Sequence, residues 1–162
     1  MNRIFVCLLL TLYLSLSIFA QNAPTLFRQP TISKTDIVFS YAGDLWTVSR
    51  NGGDAKRVTF EGTYNVSPRP SPDGKSLAFI SRREGRFQLA VMDLATRQVQ
   101  VVSDSNKDES PSFAPNSRMI LIATEIGGRG VLSAVSSDGR IKQRLTVAAG
   151  DVREPAWGPY YQ

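Results

Sequence analysis

Two kinds of hydrophobic pattern follow one another along the chain. The first is one unbroken run: after Met1-Asn2-Arg3, residues Ile4 to Ala20 are apolar, aromatic or small, ending at Ser17-Ile18-Phe19-Ala20 before the polar Gln21-Asn22. A short positive start, an apolar stretch just under the roughly 20 residues that span a bilayer, and a small residue at the polar boundary predict a signal peptide over residues 1–20. An uncleaved anchor is the alternative, because Ile18 stands where a cleavage motif prefers a small side chain. Residues 21–29 read as a short unstructured lead-in.

From residue 30 the pattern changes to short β-type stretches bounded by Pro, Gly, Asn and Asp. Ser71-Pro72-Asp73-Gly74 has Pro where a turn wants a fixed φ and Gly where the chain must leave it, and the alternating Leu77 and Phe79 follow as a strand. Ile120-Leu121-Ile122-Ala123 is a continuous apolar run, the mark of a strand buried on both faces. Residues 88–93 and 130–136 read as third strands. Residues 97–102 and 142–146 read as outer strands reached through Ala95-Thr96 and Asp138-Gly139 turns, with Asn51-Gly52-Gly53 in the same part earlier. The first hairpin, at Tyr41-Ala42-Gly43, is shorter than the later ones.

These stretches repeat. Pro68-Arg69-Pro70-Ser71-Pro72-Asp73-Gly74 aligns with Pro111-Ser112-Phe113-Ala114-Pro115-Asn116-Ser117, and a further copy starts at Pro155-Ala156-Trp157-Gly158-Pro159-Tyr160. Pro72 and Pro115 lie 43 residues apart, Pro115 and Pro159 lie 44 apart, and Thr59, Ser103 and Thr146 keep the same interval. A period in this range with short strands predicts propeller blades, each a four-stranded antiparallel sheet. The expected fold is therefore all-β, with WD-repeat-like blades: 30–61 first, 66–104 second, 109–147 third, and a closing strand over 152–162. Two full units, one shorter unit and an extra strand fall short of the roughly four to eight blades that close a ring. The sequence is compatible with a piece of a longer propeller, a fused or truncated reading frame, or a subunit that completes its ring by self-association.

Composition narrows the chemistry. The 162 residues contain no His, so Ser-His-Asp and Cys-His catalysis, imidazole metal sites and histidine pH switching are excluded. The sole cysteine, Cys7, lies in the signal segment, and an exported chain without disulfides depends on core packing, as suits a bacterial periplasm. The 19 Lys and Arg against 14 Asp and Glu are spread along the chain without a basic stripe, which argues against a nucleic-acid partner. No Gly-x-Ser-x-Gly elbow, Ser-x-x-Lys pair or phosphate loop is present. Gly127-Gly128-Arg129-Gly130 reads as a hairpin tip. Asp104-Ser105-Asn106-Lys107-Asp108 opens like a calcium loop, but Glu109 stands where the turn needs Gly and Pro115 where a bidentate Glu belongs, so no metal is expected. Arg82 to Arg86 reads as a solvated charged tip, and Trp46 and Trp157 as core aromatics. The expectation is a protein without catalytic activity, cofactor or metal.

The run Tyr64 to Arg82 (YNVSPRPSPDGKSLAFISR), its partner Asp108 to Arg118 (DESPSFAPNSR) and the ending Arg153 to Tyr160 (REPAWGPY) closely resemble the C-terminal blades of the TolB family, propeller proteins of the Tol-Pal envelope system. The resemblance covers residues 62–162. Residues 21–61 differ: Phe39 to Val48 (FSYAGDLWTV) looks more like the opening blade of tricorn-type secreted peptidases, and the α/β domain that precedes the propeller in the TolB family is not seen. The resemblance implies a periplasmic, non-catalytic scaffold that supports envelope integrity and outer-membrane constriction during division, with no membrane span after signal cleavage. The alternative it implies is the non-catalytic propeller part of a tricorn-type peptidase or hydrolase. In propellers, the links from one blade's outer strand to the next blade's inner strand gather at one mouth. In TolB-like proteins that mouth receives the peptidoglycan-associated lipoprotein, Pal, and other Tol envelope proteins are further partners that the resemblance implies. Carried onto this chain, the docking role falls on Tyr64, Asn65, Asp108, Glu109, Arg153 and Glu154.

Overall fold

The computed structural model describes residues 26–60, 64–145 and 150–158. The signal-peptide segment, Thr146 and Pro159-Tyr160 lie outside the described residues. Within them the chain forms β1 (Arg28–Ile32), β2 (Asp36–Tyr41), β3 (Asp44–Ser49) and β4 (Lys56–Arg57), then β5 (Asn65–Pro70), β6 (Ser76–Arg83), β7 (Arg86–Asp93) and β8 (Val99–Val101), and finally β9 (Asp108–Phe113), β10 (Met119–Ile126), β11 (Arg129–Ser136) and β12 (Lys142–Arg144). Each group of four is one antiparallel sheet with neighbours in sequence order. The chain is all-β with three blades of an open propeller, and no helix occurs among the described residues.

The turns that define the blades carry their own hydrogen bonds. In the β5–β6 turn the Ser71 hydroxyl donates to Asp73 at 2.6 Å and accepts from the Ser76 amide at 2.9 Å, while Asp73 accepts from the Lys75 amide at 3.0 Å. Gly74 supplies the positive φ of 75° that a Cβ would oppose. Polar side chains that bond to neighbouring amides fix the reversal before any tertiary contact is made.

Every inner strand carries the same kink. Gln29, Ser67, Ser110 and Glu154 adopt φ of 50°, 53°, 53° and 46°, and each precedes a proline: Pro30, Pro68, Pro111 and Pro155. The left-handed residue turns the backbone and the proline after it offers no amide to the ladder, so the strand shifts register there. The shift is present in β1, β5 and β9 alike. The repeat thus reaches back to Arg28, two residues inside the stretch read as lead-in.

The segment expected to close the structure shows this kink without a ladder. Residues 152–158 form no strand. They are held by the Val152 amide on the Gly130 carbonyl at 3.0 Å and the Trp157 amide on the Ser112 hydroxyl at 3.1 Å. Trp157 is 40% exposed rather than core, since no sheet lies against it among the described residues. Trp46 is half-buried, its indole N–H on the Tyr41 carbonyl at 3.2 Å.

The core lies in the two seams between blades. Leu77, Phe79, Ala90 and Met92 of the second blade meet Val38, Leu45 and Val58 of the first. From its opposite face, Ala78, Ile80, Leu89 and Val91 meet Phe113, Ile120, Ile122 and Val135 of the third. Burial on both faces explains why the middle strands read as continuous apolar runs. Each large side chain so buried contributes about 1.5–3 kcal/mol.

Candidate interaction surface

At one end of the blades, each link to the next blade is pinned beside the preceding β-hairpin. The Asn65 amide donates to the Gly43 carbonyl at 2.9 Å, the Phe87 amide to the Asn106 carbonyl at 2.9 Å, and the Val152 amide to the Gly130 carbonyl at 3.0 Å. Tyr64, Lys107 to Glu109 and Asp151 to Glu154 therefore come to one rim, next to the hairpin tips at Ala42-Gly43, Glu84-Gly85 and Gly127-Gly128.

Of the six positions assigned to docking, four face outward. Tyr64 is 42% exposed and packs edge-on against Phe87 with ring centroids 6.3 Å apart. Arg153 bridges Glu109 at 3.2 Å and Asp151 at 2.9 Å, and these two carboxylates raise its pKa above its already high ordinary value. Asp151 is held below the ordinary carboxylate value, first by the Gly130 amide and then by Arg153. Glu154 is exposed and Glu109 half-exposed.

The other two turn inward, which corrects their assignment as surface contacts. Asn65 and Asp108 are buried, at 2% and 3% exposure. Asp108 accepts from the Leu89 amide at 3.0 Å and from the hydroxyls of Ser103 and Ser105. Asn65 donates to the Thr59 hydroxyl at 3.2 Å, which in turn donates to Asp44 at 2.7 Å and accepts from the Leu45 amide at 3.0 Å. Both occupy the first position of an inner strand, where the side chain crosses to the preceding blade. Leaving a buried amide or hydroxyl without such a partner costs about 1–3 kcal/mol, so these residues hold the seams.

Sequence reasoning missed the residues that complete the rim. Arg82 lies over the Phe87 ring at 5.7 Å, and Lys107 pairs with Glu125. The tip Arg82 to Arg86 read as merely solvated, whereas its first residue builds the aromatic cluster with Tyr64. The available signal was the position of Phe87, an aromatic at a hairpin edge opposite Tyr64. Asp104, in the calcium-like stretch, pairs with Lys142 at 3.2 Å. Among the described residues no group of side chains could hold a metal ion, and no helix is long and apolar enough to cross a membrane.

A family model, the TolB beta propeller domain, matches residues 40–161. The match includes part of the first blade, where the residues resemble peptidase propellers. The chain is 97% identical over 77 residues to the Tol-Pal system protein TolB of Dechloromonas aromatica, covering 48% of this chain and 18% of that protein. It therefore spans about a fifth of the length of that curated relative. Among solved structures, TolB from Acinetobacter baumannii superposes with a TM-score of 0.75 at 33% identity, covering 85% of this chain and 36% of that one. The tricorn protease superposes with a TM-score of 0.65 at 20% identity over 76% of this chain and 13% of its own, a likeness of fold alone.

Proposed function

The chain belongs to the TolB β-propeller family, and on that premise we propose that it is a periplasmic scaffold without catalytic activity whose rim docks Pal. The observation that supports this reading is the convergence of Tyr64, Glu109, Arg153 and Glu154 on one exposed rim. Asn65 and Asp108, directly behind them, fix the links in place. An aromatic with mixed charges on a preorganised backbone suits a protein partner, since little order must be bought on binding. Support for envelope integrity and for constriction during division follows from the same docking role. So does association with other Tol proteins.

The test is capture of purified Pal by the chain and by Tyr64→Ala and Arg153→Glu variants. Losing the aromatic anchor or reversing a rim charge weakens binding by about tenfold or more each. Capture that is absent, or unchanged in both variants while folding is intact, overturns the reading. The tricorn-type alternative rests on residues 39–48 and on fold likeness, and the family match overlaps that stretch from Ser40.

A further inference from the structure

At the opposite end of the blades from the rim, the first and second blades part to form a cleft of about 730 Å³. Its cause is local. The β1–β2 turn is Ser33-Lys34-Thr35, whereas the β5–β6 turn runs from Ser71 to Lys75 and the β9–β10 turn from Ala114 to Arg118. The shorter turn does not reach its neighbour. Where the longer turns meet, the Asp73 amide donates to the Ser117 hydroxyl at 3.1 Å and closes that end of the second seam.

Ile32, Pro70 and Leu94 line the cleft, and at its bottom lie Val38, Val58 and Leu77, already packed in the first seam. Lys34 and Arg50 from the first blade and Arg97 from the second stand at its edges, all exposed, and none has an ion-pair partner among the described residues. The sole acidic residue lining it, Asp36, accepts from the Thr35 hydroxyl. Three cations against one carboxylate over an apolar floor select a ligand with an apolar body and anionic flanks.

We propose that this cleft binds an extended acidic peptide whose apolar side chains enter between the blades. Its glutamate or aspartate side chains meet Lys34, Arg50 and Arg97. In an extended chain successive side chains point to opposite sides, so with alternating residues the apolar ones enter the cleft and the acidic ones stay at its mouth, within reach of the long Lys and Arg side chains at the edges. The volume lies within the roughly 300–1,000 Å³ of ligand-binding clefts, room for a few side chains of such a chain. A flat membrane surface cannot enter between two blades, and a small inorganic anion would leave the floor uncovered.

The experiment is fluorescence anisotropy of the purified chain with a labelled Leu-Glu-Leu-Glu-Leu-Glu peptide, its Leu-Lys and Ser-Glu counterparts, and inorganic phosphate as competitor. The Leu-Glu peptide binds, more weakly as salt rises, and both counterparts bind at least about tenfold more weakly. The double variant Arg50→Glu/Arg97→Glu loses about tenfold or more at an unchanged thermal midpoint, and Arg153→Glu at the rim leaves binding intact. Absence of Leu-Glu binding, equal binding of the three peptides, competition by phosphate alone, or unchanged affinity in the double variant overturns the proposal. Since Pal capture reads the rim, the two readings fail independently.

Discussion

The two seams of this arc are built on one plan with different chemistry. Between the first and second blades the carboxylate, Asp44, belongs to the earlier blade and the amide, Asn65, to the later one, with the Thr59 hydroxyl between them. Between the second and third blades the arrangement reverses. Asp108 of the later blade is the carboxylate, Ser103 the hydroxyl, and buried Gln88 stands where Asp44 does. Each seam buries one acid and one amide at these paired positions. A second carboxylate would find the shared hydroxyl proton already given. The seams differ also at their far end, where the second is closed between turns and the first is open as a cleft.

The comparison breaks most completely if the apolar seams are emptied. Phe79→Ala, in the first seam, costs about 3–5 kcal/mol, and Ile122→Ala, in the second, about 2–5 kcal/mol, measured by denaturant unfolding. A first-seam loss much below the second would show that the cleft lets the first blade relax around the hole.

Next come the polar bridges. Asp108→Ala removes acceptors from Leu89, Ser103 and Ser105 and costs about 3 kcal/mol, whereas Asp108→Asn keeps the shape and costs less. Equal losses in the two variants would show that the charge and not the geometry holds the seam.

A finer test exchanges the acid and amide of the first seam. Asn65→Asp sets two carboxylates on the Thr59 hydroxyl and costs about 2 kcal/mol. Adding Asp44→Asn recovers about 1 kcal/mol or more as a coupling energy in a double-mutant cycle. Additive losses would mean that the one-acid rule is accidental. Arg57 pairs with Asp44 in the parent chain.

The smallest effect is acid sensitivity in the turns that stabilise the second and third blades. The Ser71 hydroxyl, the Lys75 amide and the Lys75 charge hold Asp73 below the ordinary value of 3.8, and the Ser136 hydroxyl and Arg140 amide do the same for Asp138. Carboxylates depressed in the folded state contribute stability above their unfolded value and lose it as pH falls through the folded one. Below pH 3.8 the parent chain should therefore lose stability more steeply than Asp73→Asn/Asp138→Asn, with parallel curves between pH 5 and pH 7. Parallel curves throughout would remove the turns from the acid response.

The repeat, the turns and the apolar strands were legible because each is a local pattern: Ser71-Pro72-Asp73-Gly74 announces its reversal within four residues, and Ile120 to Ala123 its burial. The direction of Asn65 and Asp108 was not. Both sit among loop-forming neighbours and look solvent-bound until the preceding blade is placed against them. The first blade was read as starting at residue 30, although Gln29-Pro30 makes the same kink as the later copies. The rim was half legible: its four exposed residues followed from where blade links gather, while Arg82 and Phe87 came from a neighbouring hairpin.

The seam pairs also set a grammar for how such a chain can be rearranged by duplication. Asp44 is bridged to Asn65 through Thr59, Gln88 precedes the Leu89 whose amide donates to Asp108, and at the third junction Val131 and Val152 hold the corresponding positions. Moving the third blade ahead of the second would set Asp44 against Asp108, and copying the third blade behind itself would set Asp108 against Val131. Some blade orders therefore set acid against acid or acid against an apolar side chain, so the blades of this chain behave as a sequence of matched edges rather than as interchangeable units.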